Sequence, residues 1–172
     1  MKLYDLLDKC KTLELKMSEV YLWCSINSPD LDLRQFFADM SDQELGHARK
    51  LDEISKIVAA KSMEMDIARS VIDKEEKSME EAISFVKNNP ALDDLFMRIA
   101  KMESQELNLI FESICQPKII GEKLSATSEV NTKIHINMLK KAIEKLPLRE
   151  ETQRAINDIQ VKDKDYYKLF TS

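Results

Sequence analysis

Along the first 58 positions, buried-type residues recur in alternating steps of four and three. That is the repeat of a helix with one side turned to a core. The first stripe is Leu3, Leu7, Cys10, Glu14, Met17, Tyr21, Cys24 and predicts a helix over about 2–26. "NSPD" interrupts it. The second stripe is Leu33, Phe37, Met40, Glu44, His47, Leu51, Ile54, Val58, a helix over about 32–58 with Asp30 or Asp32 as its N-cap. A link this short makes the pair an antiparallel hairpin. Both stripes are apolar except at Glu14, Glu44 and His47, which hold central rungs where carboxylates and imidazoles are costly.

Four more helical stretches follow. Ile67, Val71, Ile72, Met79, Ile83 and Val86 mark one over about 66–87, closed by "NNP". At this length it spans a bundle and reads as a crossover along its outside. The next, over about 91–115, carries Leu92, Phe96, Ile99, Glu103, Glu106, Ile110 and Ser113, two of them carboxylates. A fifth over about 125–146 has Ile134, Met138, Leu139, Ala142 and Leu146 as its apolar face, with His135 beside it. A last helix over about 148–170 carries Ile156, Ile159, Tyr166, Tyr167 and Phe170, and packs on the bundle's side or on a second subunit. The expectation is one all-α domain: a four-helix bundle of two antiparallel hairpins (2–58 and 91–146), a crossover (59–90) and an extra C-terminal helix.

Composition agrees. The 172 residues include only two glycines and four prolines, little turn chemistry for a chain this long. A net charge of -5 argues against a nucleic-acid footprint, which needs a basic face. No run is apolar enough for a membrane span, and "MKLYDLLDKCKTLELK" lacks a signal-peptide core, so a cytoplasmic location is expected. Cys10, Cys24 and Cys115 are an odd number with no C-x-x-C, which argues against a disulfide framework, a paired-cysteine zinc site or an attached rubredoxin centre.

The inner faces therefore collect Glu14, Glu44, His47, Glu103, Glu106 and His135. Several buried carboxylates repel unless something positive joins them, and the stripes contain no lysine or arginine. A metal ion fills that role, and carboxylate with imidazole suits iron or manganese. "ELGH" puts Glu44 and His47 three apart, on one helix face. Plainer readings stand beside this one: a hydrogen-bonded Glu44–His47 core pair, a solvated Glu106, a half-buried His135, and Tyr21 either packing or donating a hydrogen bond to a ligand carboxylate.

"LELKMSEVYLW", "MSDQELGHARKL" and "AKMESQELNLIF" resemble the rubrerythrin-like branch of the ferritin-like di-iron carboxylate proteins, over about residues 3–58 and 91–146. The resemblance implies Glu14 as a terminal ligand, Glu44 as a bridge, His47 on one ion, and Glu103 and Glu106 alternating as ligands. It implies two iron ions per site, with manganese or zinc as alternatives, and a peroxide- or dioxygen-reacting oxidoreductase in oxidative-stress defence, fed by a separate electron donor. One position departs from it: Thr132 in "TKIH" stands where a second bridging Glu precedes His135. That departure implies a weaker second ion and favours a non-catalytic interaction bundle, while a ferritin-like iron-oxidising protein, which needs the same ligands, is a further alternative. Apolar residues on the crossover and last helix point to a homodimer or larger assembly.

Overall fold

The computed structural model describes residues 1–58, 69–104 and 122–159, with side chains at all of these except Val71 and 122–132. The regular elements among them are all helices: α1 (Leu3–Asn27), α2 (Leu31–Val58), α3 (Arg69–Lys87), α4 (Leu92–Glu103), α5 (Glu122–Ile143) and α6 (Glu150–Asn157). None is long and apolar enough to cross a membrane.

α1 and α2 form the expected antiparallel hairpin and pack along most of their length. Asp30 is the N-cap, its carboxylate accepting from the Leu33 amide at 2.9 Å. The Arg34 guanidinium donates to the Ser28 carbonyl at 2.6 Å and ties the turn. Three contacts fix the register: Ser25 to the Arg34 carbonyl at 2.8 Å, Ser18 to Ser41 at 2.8 Å, and Lys11 to Asp52 at 2.8 Å. Every member of both stripes is buried, including Glu14, Glu44 and His47.

α3 lies against α1, burying Ile72, Met79, Ala82 and Val86. Lys9–Glu76 at 2.6 Å and Lys16–Glu80 at 3.6 Å run along the seam. The chain then turns at Asn89, whose φ of 49° is left-handed, a conformation asparagine tolerates better than most residues. α4 turns Phe96, Ile99 and Glu103 inward. Phe36, Phe37 and Phe96 form one aromatic cluster, Phe37 and Phe96 with ring centroids 5.8 Å apart. The C-terminal part of the helix expected over 91–115 lies outside the described residues, and with it Glu106, Ile110, Ser113 and Cys115.

Two expectations change. The buried face of α5 is His135, Ile136, Leu139 and Ile143, while Ile134 is 45% exposed. His135 is thus a member of the inward stripe rather than its neighbour, because its ring is anchored on a carboxylate of α4. The last helix does not continue unbroken to 170: α6 ends at Asn157. There the Ile159 amide bonds the Ile156 carbonyl at 3.1 Å, a tight turn that buries Ile159, and Lys140 donates to the Asn157 carbonyl at 2.8 Å. α6 packs on α4, as a helix on the bundle's side should. Asp93 of α4 accepts from the Arg149 amide at 2.7 Å and the Thr152 hydroxyl at 2.9 Å. Tyr166, Tyr167 and Phe170 lie outside the described residues.

Candidate metal centre

Four helices bring one cluster together. α1 supplies Glu14 and, two turns on, Tyr21; α2 supplies Glu44 and His47; α4 supplies Glu103; α5 supplies His135. All six are buried. On α2 the three-residue spacing sets His47 Nδ1 3.1 Å from Glu44 Oε2, and the same nitrogen faces Glu14 Oε2 at 3.7 Å. The first distance is a hydrogen bond, the second an electrostatic contact. Across the cluster, His135 Nε2 lies 2.9 Å from Glu103 Oε1 and 3.4 Å from Glu44 Oε1. The Tyr21 hydroxyl donates to Glu103 Oε1 at 2.5 Å.

Glu44 therefore turns one oxygen to each histidine. Ligand atoms of Glu14, Glu44 and His47 all lie within 4.8 Å of one another, as do those of Glu44, Glu103 and His135. These are two three-residue groups sharing one carboxylate, each able to hold a metal ion. Of the six residues singled out in the sequence, five meet here. Glu106 lies outside the described residues, and so does the side chain of Thr132.

Burial decides the protonation of the cluster when no cation is in it. Burial raises Glu14 to about 8, and the neighbouring Glu44 charge adds to this. Burial would also raise Glu44, but the positive charge on His135 and the hydrogen bond from His47 outweigh it and hold Glu44 at about 2. Burial opposes charging of both histidines. The electrostatic contact with Glu14 and the hydrogen bond to Glu44 nevertheless hold His47 well above its usual range, and the charges of Glu103 and Glu44 take His135 to about 9. Tyr21 is pushed well up, first by burial and then by the charge of Glu103, so its hydroxyl keeps its proton and donates.

The donor set passes the test of fit. In the metal-free cluster, protons on Glu14, His47 and His135 stand where cations would balance carboxylate charge. Oxygen and imidazole donors without thiolate suit iron, manganese or zinc rather than a soft metal. Cys10 and Cys24 are buried thiols outside any disulfide, and neither belongs to the two groups. Burial raises the Cys24 thiol to about 12, which suits a core side chain.

Two features escaped the sequence reading. Ser18 and Ser41 form a buried pair beside the cluster, four residues after Glu14 and three before Glu44. Glu75 is buried on α3, at a rung between Ile72 and Met79 that the three-and-four spacing would have flagged.

Fold and site together define the class of chain: all-helical, with buried Glu and His groups able to bind metal at the meeting of four helices. No known protein family, curated protein or solved structure matches it.

Proposed function

We propose that this is a ferritin-like, rubrerythrin-like non-haem di-iron protein that reduces hydrogen peroxide, or reacts with dioxygen, using electrons from a separate donor. One observation carries the reading: Glu44 lies between two histidines, each with a further carboxylate of its own. A core hydrogen-bond pair needs one carboxylate and one imidazole. Three carboxylates and two imidazoles are a costly thing to bury for packing alone.

In this reading Glu14, Glu44 and His47 would hold one ion and Glu44, Glu103 and His135 the other. Two ferrous ions, when bound, supply two electrons that with two protons turn hydrogen peroxide into two waters, and the donor restores them. The chain's own residues do the rest. Glu44 fixes the two sites to one another. Tyr21 positions Glu103, its hydroxyl oxygen 2.5 Å from Glu103 Oε1, and holds a proton next to the reacting centre. The packed aromatic cluster of Phe36, Phe37 and Phe96 limits solvent on one side.

Elemental analysis of protein loaded anaerobically with ferrous iron, followed by peroxide consumption with a chemical reductant, tests this. Two irons per chain and reductant-dependent turnover are expected. Iron binding without turnover would leave an iron-handling protein, and no binding would overturn the reading.

Thr132 adds a sharper expectation. Three carboxylates answer the four charges of two divalent ions, so the second ion should bind more weakly than the first. Thr132 stands three residues before His135 on α5, hence on the same side of the helix. Thr132→Glu should supply a fourth carboxylate and tighten the weaker site by at least about tenfold, the scale of one charge-assisted contact. Calorimetric titration showing two equally tight ions in the unmodified chain would contradict this.

A further inference from the structure

We infer that the cleft where the α1–α2 and α3–α4 turns meet binds a small uncharged molecule with an apolar body and a carbonyl-type acceptor. The cleft holds about 350 Å³, walled by Leu33, Phe37, Val86, Leu92 and Leu95, with Trp23 at its side. That is near the lower end of the roughly 300–1,000 Å³ of small-molecule sites, so a molecule of about one or two rings fits. The shape is built in. Pro29 and Pro90 each fix a φ angle in one of the two turns. Arg34 ties the first turn to the Ser28 carbonyl at 2.6 Å, and Asn89 holds its left-handed φ of 49° in the second. The cleft is distinct from the metal cluster, since none of its lining residues belongs to either three-residue group. Phe37 stands between them, its ring stacked on that of Tyr21 with centroids 6.4 Å apart.

Charge chooses the ligand. Of the chain's residues 33% are charged, yet no residue lining the cleft is. The charged groups nearby in sequence are engaged elsewhere. Asp30 caps α2, Arg34 holds the Ser28 carbonyl, and Asp93 accepts from Arg149 and Thr152. Cys24 also lines the cleft, and burial raises its thiol to about 12, so it stays neutral. A charged ligand would give up its hydration here and meet no counter-charge. The polar groups on offer are neutral ones, from Asn27, Ser28 and Asn89. Trp23 adds a donor that lacks an acceptor: its Nε1 is buried with no hydrogen-bond partner among the described residues. Buried polar groups are paired as a rule. A ligand carbonyl, reached by a small shift of the indole toward the cleft, is the partner this one lacks.

Titration of the full chain with tetralone, an uncharged bicyclic ketone, tests this through Trp23, the chain's one tryptophan. A saturable change in tryptophan emission is expected, with half-saturation below about 0.1 mM. Two analogues of similar size separate the parts of the argument. Tetralin, which lacks the carbonyl, should bind at least about threefold more weakly, and the anion tetralin carboxylate at least about tenfold more weakly. Leu92 is a half-buried wall position. Leu92→Phe narrows the cleft and should weaken tetralone binding at least about tenfold, with helicity unchanged. If that variant folds poorly, crystals of the unmodified chain soaked in bromotetralone replace it. The anomalous peak of the bromine should then lie between Leu33 and Leu92. An emission change that never saturates, tetralin or the anion binding as tightly as tetralone, a folded Leu92→Phe that binds undiminished, or a bromine peak elsewhere would each overturn the inference. The titration is read on metal-free protein, so its outcome is independent of the metal centre.

Discussion

Glu44→Ala should strip the protein of both metal ions, whereas His47→Ala should remove one. The difference follows from geometry. Glu44 belongs to both three-residue groups, with Oε2 3.1 Å from His47 and Oε1 3.4 Å from His135. His47 belongs to one. Elemental analysis should read near zero metal per chain for Glu44→Ala and about half the unmodified content for His47→Ala, since ligands of one ion act as a unit. The metal-free forms should differ too. Buried carboxylates repel, which on its own predicts that alanine at any of them stabilises the empty bundle. The structure qualifies this for Glu44, whose carboxylate stays ionised between two imidazolium rings. Removing it leaves buried positive charge unmatched, at a cost of about 3–5 kcal/mol. Glu14, held neutral by burial, should show no such penalty. Glu44→Gln keeps the shape and lacks the charge. It should lose metal like Glu44→Ala, which separates ligation from packing.

The second large effect is a pH dependence confined to the metal-free protein. His135 is raised from 6.5 in the unfolded chain to about 9 in the fold. Its stabilisation is present in full below 6.5 and is lost as pH rises through 9. His47 shifts the same way. Glu14 is raised from 4.5 to about 8, so the folded state holds a proton that the unfolded chain gives up, and stability again falls as pH rises through that window. Glu44, lowered from 4.5 to about 2, acts oppositely and only in acid: its contribution is present above 4.5 and lost as pH falls through 2. Between pH 6.5 and 9 the first three work together. His135 alone accounts for on the order of 3 kcal/mol. The thermal midpoint of the metal-free protein should fall on the order of 10 °C across this interval. With cations replacing the protons, the loaded protein should show a much flatter profile. Thermal melts by circular dichroism check both. A metal-free midpoint that rises or stays level from pH 6.5 to 9 would contradict the assigned protonation.

How far the sequence led can be judged from particular residues. Every position that the alternating spacing picked in α1 and α2 is buried, because the repeat reports a helix's inward side directly, but Leu6, Leu13 and Val20, buried on α1 as well, fell outside the stripe. Glu14, Glu44, His47 and Glu103 were legible as polar residues on those rungs. α5 was harder. Ile134 and His135 are adjacent, so the hydrophobic pattern favoured the isoleucine, whereas burial of Ile136, Leu139 and Ile143 and the contacts of His135 with the carboxylates of α2 and α4 bring His135 inward. Tyr21 was legible as packing or donating to a ligand carboxylate, but not which carboxylate, since the bond to Glu103 joins positions 82 residues apart. The end of α6 was not legible either. Ile159 fits a continuing helix by pattern, yet it is buried by a turn.

The central claim is that Glu14, Glu44, His47, Glu103 and His135 together hold two metal ions. Crystals grown with ferrous iron, with anomalous diffraction recorded at the iron edge, test it most directly. The expected map has two anomalous peaks among these five side chains, with Glu44 contacting both and Tyr21 still bonded to Glu103. A map with no peak between the four helices, with His47 and His135 still bonded to the carboxylates, would contradict it.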